Sequence, residues 1–142
     1  MPEGHVNFIV KTPLQKVWDF VSDMKKVATC IPGLVDMQAI DDKSAYWTLK
    51  MKVGPISKTI KLKTETVEQR APTYGSFKGE GENITFMGTI ILKSVSENET
   101  EVDYKMNVNA SGSLGEIINS VIRSKIDQQT EDFSKAVKSK LE

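Results

Sequence analysis

Apolar residues recur along this chain with two different periods. From His5 to Lys11 the period is two: Val6, Phe8 and Val10 share one face and Thr12-Pro13 closes the run, which predicts a first strand. The period then lengthens to that of a helix. Leu14, Val17, Trp18, Val21 and Met24 fall on one side, with Thr12 as the expected N-cap, Pro13 at the first helical position and Lys25-Lys26 at the end. A second short helical stretch is expected over Met24 to Thr29. Ile31-Pro32-Gly33 stops it, because proline removes a backbone donor and restricts the residue before it.

From Leu34 the period is two again, and breaks come at regular intervals: Asp41-Asp42-Lys43, Gly54-Pro55, Arg70-Ala71-Pro72, Gly81-Glu82-Asn83 and Glu97-Asn98-Glu99. Five turns imply six more strands. In the second of these, Trp47, Leu49, Met51 and Val53 alternate with Thr48, Lys50 and Lys52. In the last, Val102, Tyr104, Met106 and Val108 alternate with Asp103, Lys105 and Asn107. One face is therefore covered and the other wet, as an antiparallel sheet allows.

After Ser111-Gly112-Ser113 the helical period returns, carried by Leu114, Ile117, Ile118, Val121 and Ile122, then Ile126, Phe133 and Val137. At about 1.5 Å per residue this helix would span roughly 40 Å, enough to cross the sheet and cover its inner face. There is no internal repeat, low-complexity tract or linker, so residues 1–142 are expected to form one domain.

Composition adds little to that picture and removes several function classes. A chain of 142 residues can bury a sizeable core. Its 19 basic side chains balance 19 acidic ones, so no bulk field selects nucleic acid as a partner. The single Cys30 cannot pair within the chain, which points to a cytoplasmic protein. The first apolar run, Val6 to Val10, is interrupted by Asn7 and is far too short for a signal-peptide core or a membrane span.

Candidate chemistry is sparse. Cys30 lacks a base at any recognisable spacing from the one histidine, His5, and reads as a packed turn residue rather than a nucleophile. No metal-ligand spacing is present, and Asp41-Asp42 and Glu97-Asn98-Glu99 read as solvated turns. No catalytic residue and no required cofactor are expected.

The richest signal is on the inner face. Phe77, Gly79 and Gly81 alternate along one strand, and two successive positions without side chains either leave room for a ligand or let the sheet curl. Trp47, Met51, Phe86, Tyr104 and Met106 would suit the wall of an apolar pocket, with Ile118, Val121 and Ile122 contributed by the helix above. Lys125 and Gln129 interrupt the helical stripe. Either they hydrogen-bond a polar ligand group such as a quinone carbonyl, or the stripe drifts toward Ile126 and leaves the Lys125 head in water; the second is preferred.

Strand, two short helices, six strands and a long helix is the layout of an α+β helix-grip fold (Bet v 1-like/START-like), a curved seven-stranded antiparallel sheet around a long C-terminal helix. Within that group, Val17-Trp18-Asp19-Phe20, Cys30-Ile31-Pro32-Gly33 and Lys52-Val53-Gly54-Pro55-Ile56 resemble the carbon monoxide dehydrogenase G-subunit (CoxG) family. Gly79-Glu80-Gly81 and Gly112 to Gly115 are similar to that family as well, so the resemblance spans essentially the whole chain.

The resemblance implies a noncatalytic protein that binds a small apolar ligand, quinone- or lipid-like, and helps to mature or recruit a molybdenum hydroxylase, docking on that enzyme or on its assembly factors. Some relatives carry an amphipathic C-terminal segment. This sequence closes at Lys138-Ser139-Lys140-Leu141-Glu142, so peripheral membrane association is the most that is expected. Two alternatives stay open: a cyclase- or hydrolase-type enzyme using Tyr104, Lys125 or Glu80 in the same space, or a pure assembly protein whose groove is filled by its own side chains.

Overall fold

The computed structural model describes residues 2–53 and 55–142. Along the chain run β1 (Glu3–Val10), α1 (Leu14–Val21), α2 (Met24–Ala28), β2 (Leu34–Ala39), β3 (Ser44–Val53), β4 (Ile56–Arg70), β5 (Tyr74–Gly81), β6 (Ile84–Ser96), β7 (Glu99–Ala110) and α3 (Gly115–Leu141). The expected breaks all separate strands; Gly54 of the Gly54-Pro55 turn lies outside the described residues.

The seven strands form one antiparallel sheet in the order β1-β7-β6-β5-β4-β3-β2. It is therefore a meander in which only β1 has moved, to pair with β7. The strands are long, 15 residues in β4 and 13 in β6, and register shifts at Leu34/Asp36, Thr66/Glu68 and Ser94/Ser96 mark bulges that bend them. The sheet thus curls and offers a concave face.

Across that face lies α3, whose 27 residues extend about 40 Å. It does not lie centrally. It packs on β1 and β7, and so closely on β1 that a Cβ built on Gly4 would stand 2.7 Å from Thr130 Cγ2 and 2.9 Å from Ile126 Cγ1. Any larger residue at position 4 would push the helix off the sheet edge. Asn119 stitches the other end, accepting from Ala110 N (2.8 Å) and donating to Ala110 O (3.0 Å).

The core is split in two. Val10, Val17, Trp18, Leu92 and Val102 form one cluster, where α1 meets the sheet; Val108, Ala110, Ile122 and Ile126 form the other, beneath the first half of α3. A helix covering one edge of a curved sheet leaves the middle of the concave face to be filled by something else.

Three local expectations change. Thr12 does not cap α1: Pro13 holds that position without a side-chain bond, and the buried Thr12 hydroxyl donates to Leu141 O (2.9 Å), closing the last turn of α3. Its own carbonyl accepts from Thr100 Oγ1 (2.8 Å). The first helical run ends at Val21, not Met24, because the Ser22 hydroxyl bonds back to Trp18 O and Asp23 caps a new helix by accepting from Lys25 N and Lys26 N. Leu114 and Ile117, read as the start of the buried stripe of α3, are 57% and 63% exposed. The buried face of this helix instead follows Ile122, Ile126, Thr130, Ser134 and Val137, which the contact with β1 selects.

Candidate functional site

Between the two core clusters lies a cavity of about 310 Å³. Its floor is the inner face of β3 to β7, its roof the middle of α3, and its end wall α1, α2 and the Ile31-Pro32 loop. The lining is overwhelmingly apolar. Of the residues expected there, Trp47, Met51, Phe77, Phe86, Tyr104, Met106, Ile122, Lys125 and Gln129 do line it.

The others do not, and each for its own reason. Ile118 packs into the cluster of Val108, Ala110 and Ile122. Val121 is half-buried on α3 but does not reach the cavity wall. Gly79 stands directly opposite Phe86 in the sheet, and a Cβ there would come within 2.1 Å of Phe86 Cζ: the aromatic ring already lies across the glycine backbone. A Cβ on Gly81 would meet Lys61 O at 2.6 Å and Leu62 Cδ2 at 2.9 Å, so this glycine marks a close approach of the neighbouring strand.

The glycines matter all the same. Gly88 stands opposite Phe77 as Gly79 does opposite Phe86, and a Cβ on Gly88 would lie 2.2 Å from Phe77 Cζ. Two phenylalanines are thereby laid over glycine backbone, and the space between floor and helix stays open. The rings then continue as a series: Phe86 meets Phe77 edge-on (6.2 Å between centroids), Phe77 stacks on Tyr104 (6.5 Å), and Tyr104 meets Phe133 of α3 (5.1 Å). Phe133, expected in a core stripe, lines the cavity, and so do Gly75, Thr66 and Trp18, which the patterning did not mark as lining residues. For Gly75 a signal existed, since it continues the inward alternation of Phe77, Gly79 and Gly81 toward the start of β5.

Polar groups are a minority of the lining, and several are spoken for. Trp47 Nε1 donates to Thr64 Oγ1 (2.7 Å), and the Thr130 hydroxyl donates to Ile126 O (3.1 Å). Tyr104 is different. It is only 7% exposed, and its hydroxyl has no hydrogen-bond partner among the described residues. No sealed side-chain N or O atom among them lacks a partner, so this hydroxyl opens onto the cavity. Burial drives its ionisation well above the ordinary tyrosine value, and the phenol is therefore a neutral donor at physiological pH.

Lys125 lies at the edge of the cavity, and its head is held by the protein. The residue is exposed and also lines the cavity, and its Nζ donates to Lys52 O at 2.6 Å. Glu80 faces away: it is exposed on the outer side of β5 and does not line the cavity. Tyr104, Lys125 and Glu80, the three potential acids or bases, are thus not gathered around one point. Cys30 is buried in its turn, and burial pushes its thiol up despite the Thr29 hydroxyl and the Lys140 charge, the reverse of an activated nucleophile. His5 lies 2.7 Å from Asp103 Oδ1 on the outer face of β1–β7, away from Cys30 and the cavity. Among the described residues no three His, Cys, Asp or Glu side chains are grouped to hold a metal ion, and no helix is long and apolar enough to cross a membrane.

A curled seven-stranded meander gripping a long C-terminal helix over an apolar cavity defines a START-like helix-grip protein. The fold is similar to that of a conserved protein from Geobacillus kaustophilus (TM-score 0.78, 17% identity, covering 98% of this chain and 94% of that one). It is similar also to a START superfamily protein from Mycobacterium smegmatis (0.74, 9%, 98% and 96%) and to the Zhui aromatase/cyclase from Streptomyces (0.66, 12%, 98% and 92%). A family profile matches residues 7–142, and the chain belongs to the carbon monoxide dehydrogenase G-subunit (CoxG) family. No curated protein matches it.

Proposed function

We propose that this protein is a noncatalytic carrier of one small, flat, largely apolar molecule bearing a hydrogen-bond acceptor, a description that a quinone or the head of a quinone-like lipid meets. The observation that carries this reading is Tyr104: a neutral donor without a hydrogen-bond partner among the described residues, opening into a largely apolar cavity. A ligand carbonyl placed against this hydroxyl would gain about 0.5–1.5 kcal/mol, the usual net worth of one hydrogen bond. The flat series Phe86, Phe77, Tyr104 and Phe133 favours a planar guest, and about 310 Å³ suits a single ring system at the small end of ligand pockets. Membership in its family supports placing the carrier beside a carbon monoxide dehydrogenase-type molybdenum hydroxylase, in the cytoplasm, as an accessory to its recruitment or maturation.

Native mass spectrometry of the purified protein, and titration with 2-methyl-1,4-naphthoquinone followed through the two tryptophans, test this. Both Trp18 and Trp47 line the cavity and would be quenched by a bound quinone. Saturable one-to-one binding is expected. Thr66→Trp, which adds a large ring to the cavity floor, should abolish binding while the unfolding midpoint stays near that of the parent. Absence of both a retained ligand and saturable binding in the parent would overturn the carrier reading in favour of an assembly role.

A further inference from the structure

We infer that the cavity's portal lies between α3 and the β3–β4 hairpin, and that the Lys125 side chain is its latch; the inference rests on the carrier reading for what passes through. α3 is held along one edge only. It lies on the Gly4 backbone of β1 and on β7, and it is pinned at both ends, by Asn119 to Ala110 and by Leu141 to Thr12. Toward β3 and β4 the sheet curls away and the cavity intervenes, lined from that side by Leu49, Met51 and Ile60.

Among the described residues one hydrogen bond spans this gap, from Lys125 Nζ to Lys52 O. A residue that is exposed and also lines a cavity marks the place where the cavity meets solvent, and Lys125 is the one such residue on the roof. No carboxylate lies within salt-bridge distance of its ammonium among the described residues, so it is held by a single neutral carbonyl. That arrangement is suited to opening. One bond at the end of four rotatable carbons is broken by a rotamer change, on the nanosecond scale of exposed side chains, whereas moving α3 would break the packing at Gly4.

Gln69 of β4 is an exposed lining residue as well and marks a second thin place.

Two measurements decide the matter, and the first needs no ligand. Acrylamide, a small neutral quencher, reaches Trp18 and Trp47 through the cavity; Lys125→Met keeps the length and apolar stem of the side chain but removes the donor. The latch predicts that this variant raises the quenching rate constant roughly twofold or more at an unchanged unfolding midpoint, through more frequent local opening. In stopped-flow with 2-methyl-1,4-naphthoquinone, association and dissociation rates should rise together, each by about threefold to tenfold. Lys125→Arg, which retains a donor, should stay close to the parent.

Unchanged acrylamide quenching in Lys125→Met overturns the latch. So does a rise in dissociation rate alone, which would make Lys125 a direct ligand contact. Slowed exchange in Gln69→Trp with parental rates in Lys125→Met would move the portal to Gln69. Failure of the parent to bind the naphthoquinone would instead strike the carrier reading, while the acrylamide result still decides whether Lys125 closes the cavity.

Discussion

A methyl group added to Gly79 would stand 2.1 Å from Cζ of Phe86, because the Phe86 ring lies across the glycine directly opposite it in the sheet. The ring cannot stay where it is if residue 79 gains a Cβ; it must rise toward α3. Gly79→Ala is therefore expected to lower stability by about 1–3 kcal/mol, the cost of overpacking a filled site. Gly79→Ala combined with Phe86→Leu should cost less than the sum of the two single changes, as contacting residues couple. Urea denaturation of the four proteins measures this. Strict additivity would mean that the pair does not act as a unit.

Tyr104→Phe should leave stability at neutral pH unchanged or slightly higher, since the hydroxyl has no protein partner to lose, and should weaken naphthoquinone binding about fivefold to tenfold if that hydroxyl holds the ligand's acceptor. The alkaline limb offers a second check. Burial keeps the folded phenol protonated above 10, the value at which an unfolded tyrosine ionises. As pH climbs past 10 the unfolded state releases a proton that the folded state keeps, so stability falls with rising pH. The parent should lose stability more steeply than Tyr104→Phe between about pH 9.5 and roughly 11, and equal slopes would place the hydroxyl in water.

On the outer face, Asp103 accepts from His5 Nε2 (2.7 Å) and Asn7 Nδ2 (3.1 Å). Burial pushes this carboxyl up, but the two hydrogen bonds and the charges of His5 and Lys105 together outweigh it, and the net shift is downward. A folded-state value below the unfolded one stabilises the protein above the ordinary 3.8, and that contribution is lost as pH falls through the depressed value. Asp103→Asn should accordingly cost under about 1 kcal/mol at neutral pH, because the pair is partly exposed. The cost should vanish near about pH 2; a difference persisting there would show that shape rather than charge is at stake.

Thr12→Val removes the hydroxyl that donates to Leu141 O while keeping the branched shape. A loss of about 1–2 kcal/mol is expected, the usual cost of deleting one buried hydrogen bond whose acceptor is left behind. Hydrogen exchange should locate the change in the last turn of α3, faster there than in the parent and equal at Asn119. Uniform acceleration along α3 would instead mean that Thr12 supports the helix as a whole.

The architecture of this protein was legible because it is written in local terms. Period-two alternation from Leu34 to Ala110, punctuated by Asp41-Asp42, Gly54-Pro55, Ala71-Pro72, Glu82-Asn83 and Glu97-Asn98, suffices for six strands, and the helical period after Ser113 suffices for α3. Alternation also identified the inner face of the sheet, so that Trp47, Met51, Phe77, Phe86, Tyr104 and Met106 could be assigned to the side on which the cavity lies. Both are properties of neighbours along the chain, which a pleat or a helical turn places without reference to anything distant.

What stands opposite a face is another matter, and only the tertiary structure decided it. Periodicity shows that Gly79 points inward but not that Phe86 is in register with it, because that register depends on the β5–β6 pairing. The same limit exposed Leu114 and Ile117, packed Ile118 against Val108 and Ala110, and put Phe133 beside Tyr104. All follow from where α3 comes to rest on the sheet, and that is governed by the absence of a side chain at Gly4, at the far end of the chain from the helix it receives. A contact between residues as distant in sequence as Gly4 and Thr130 leaves no trace in either local pattern.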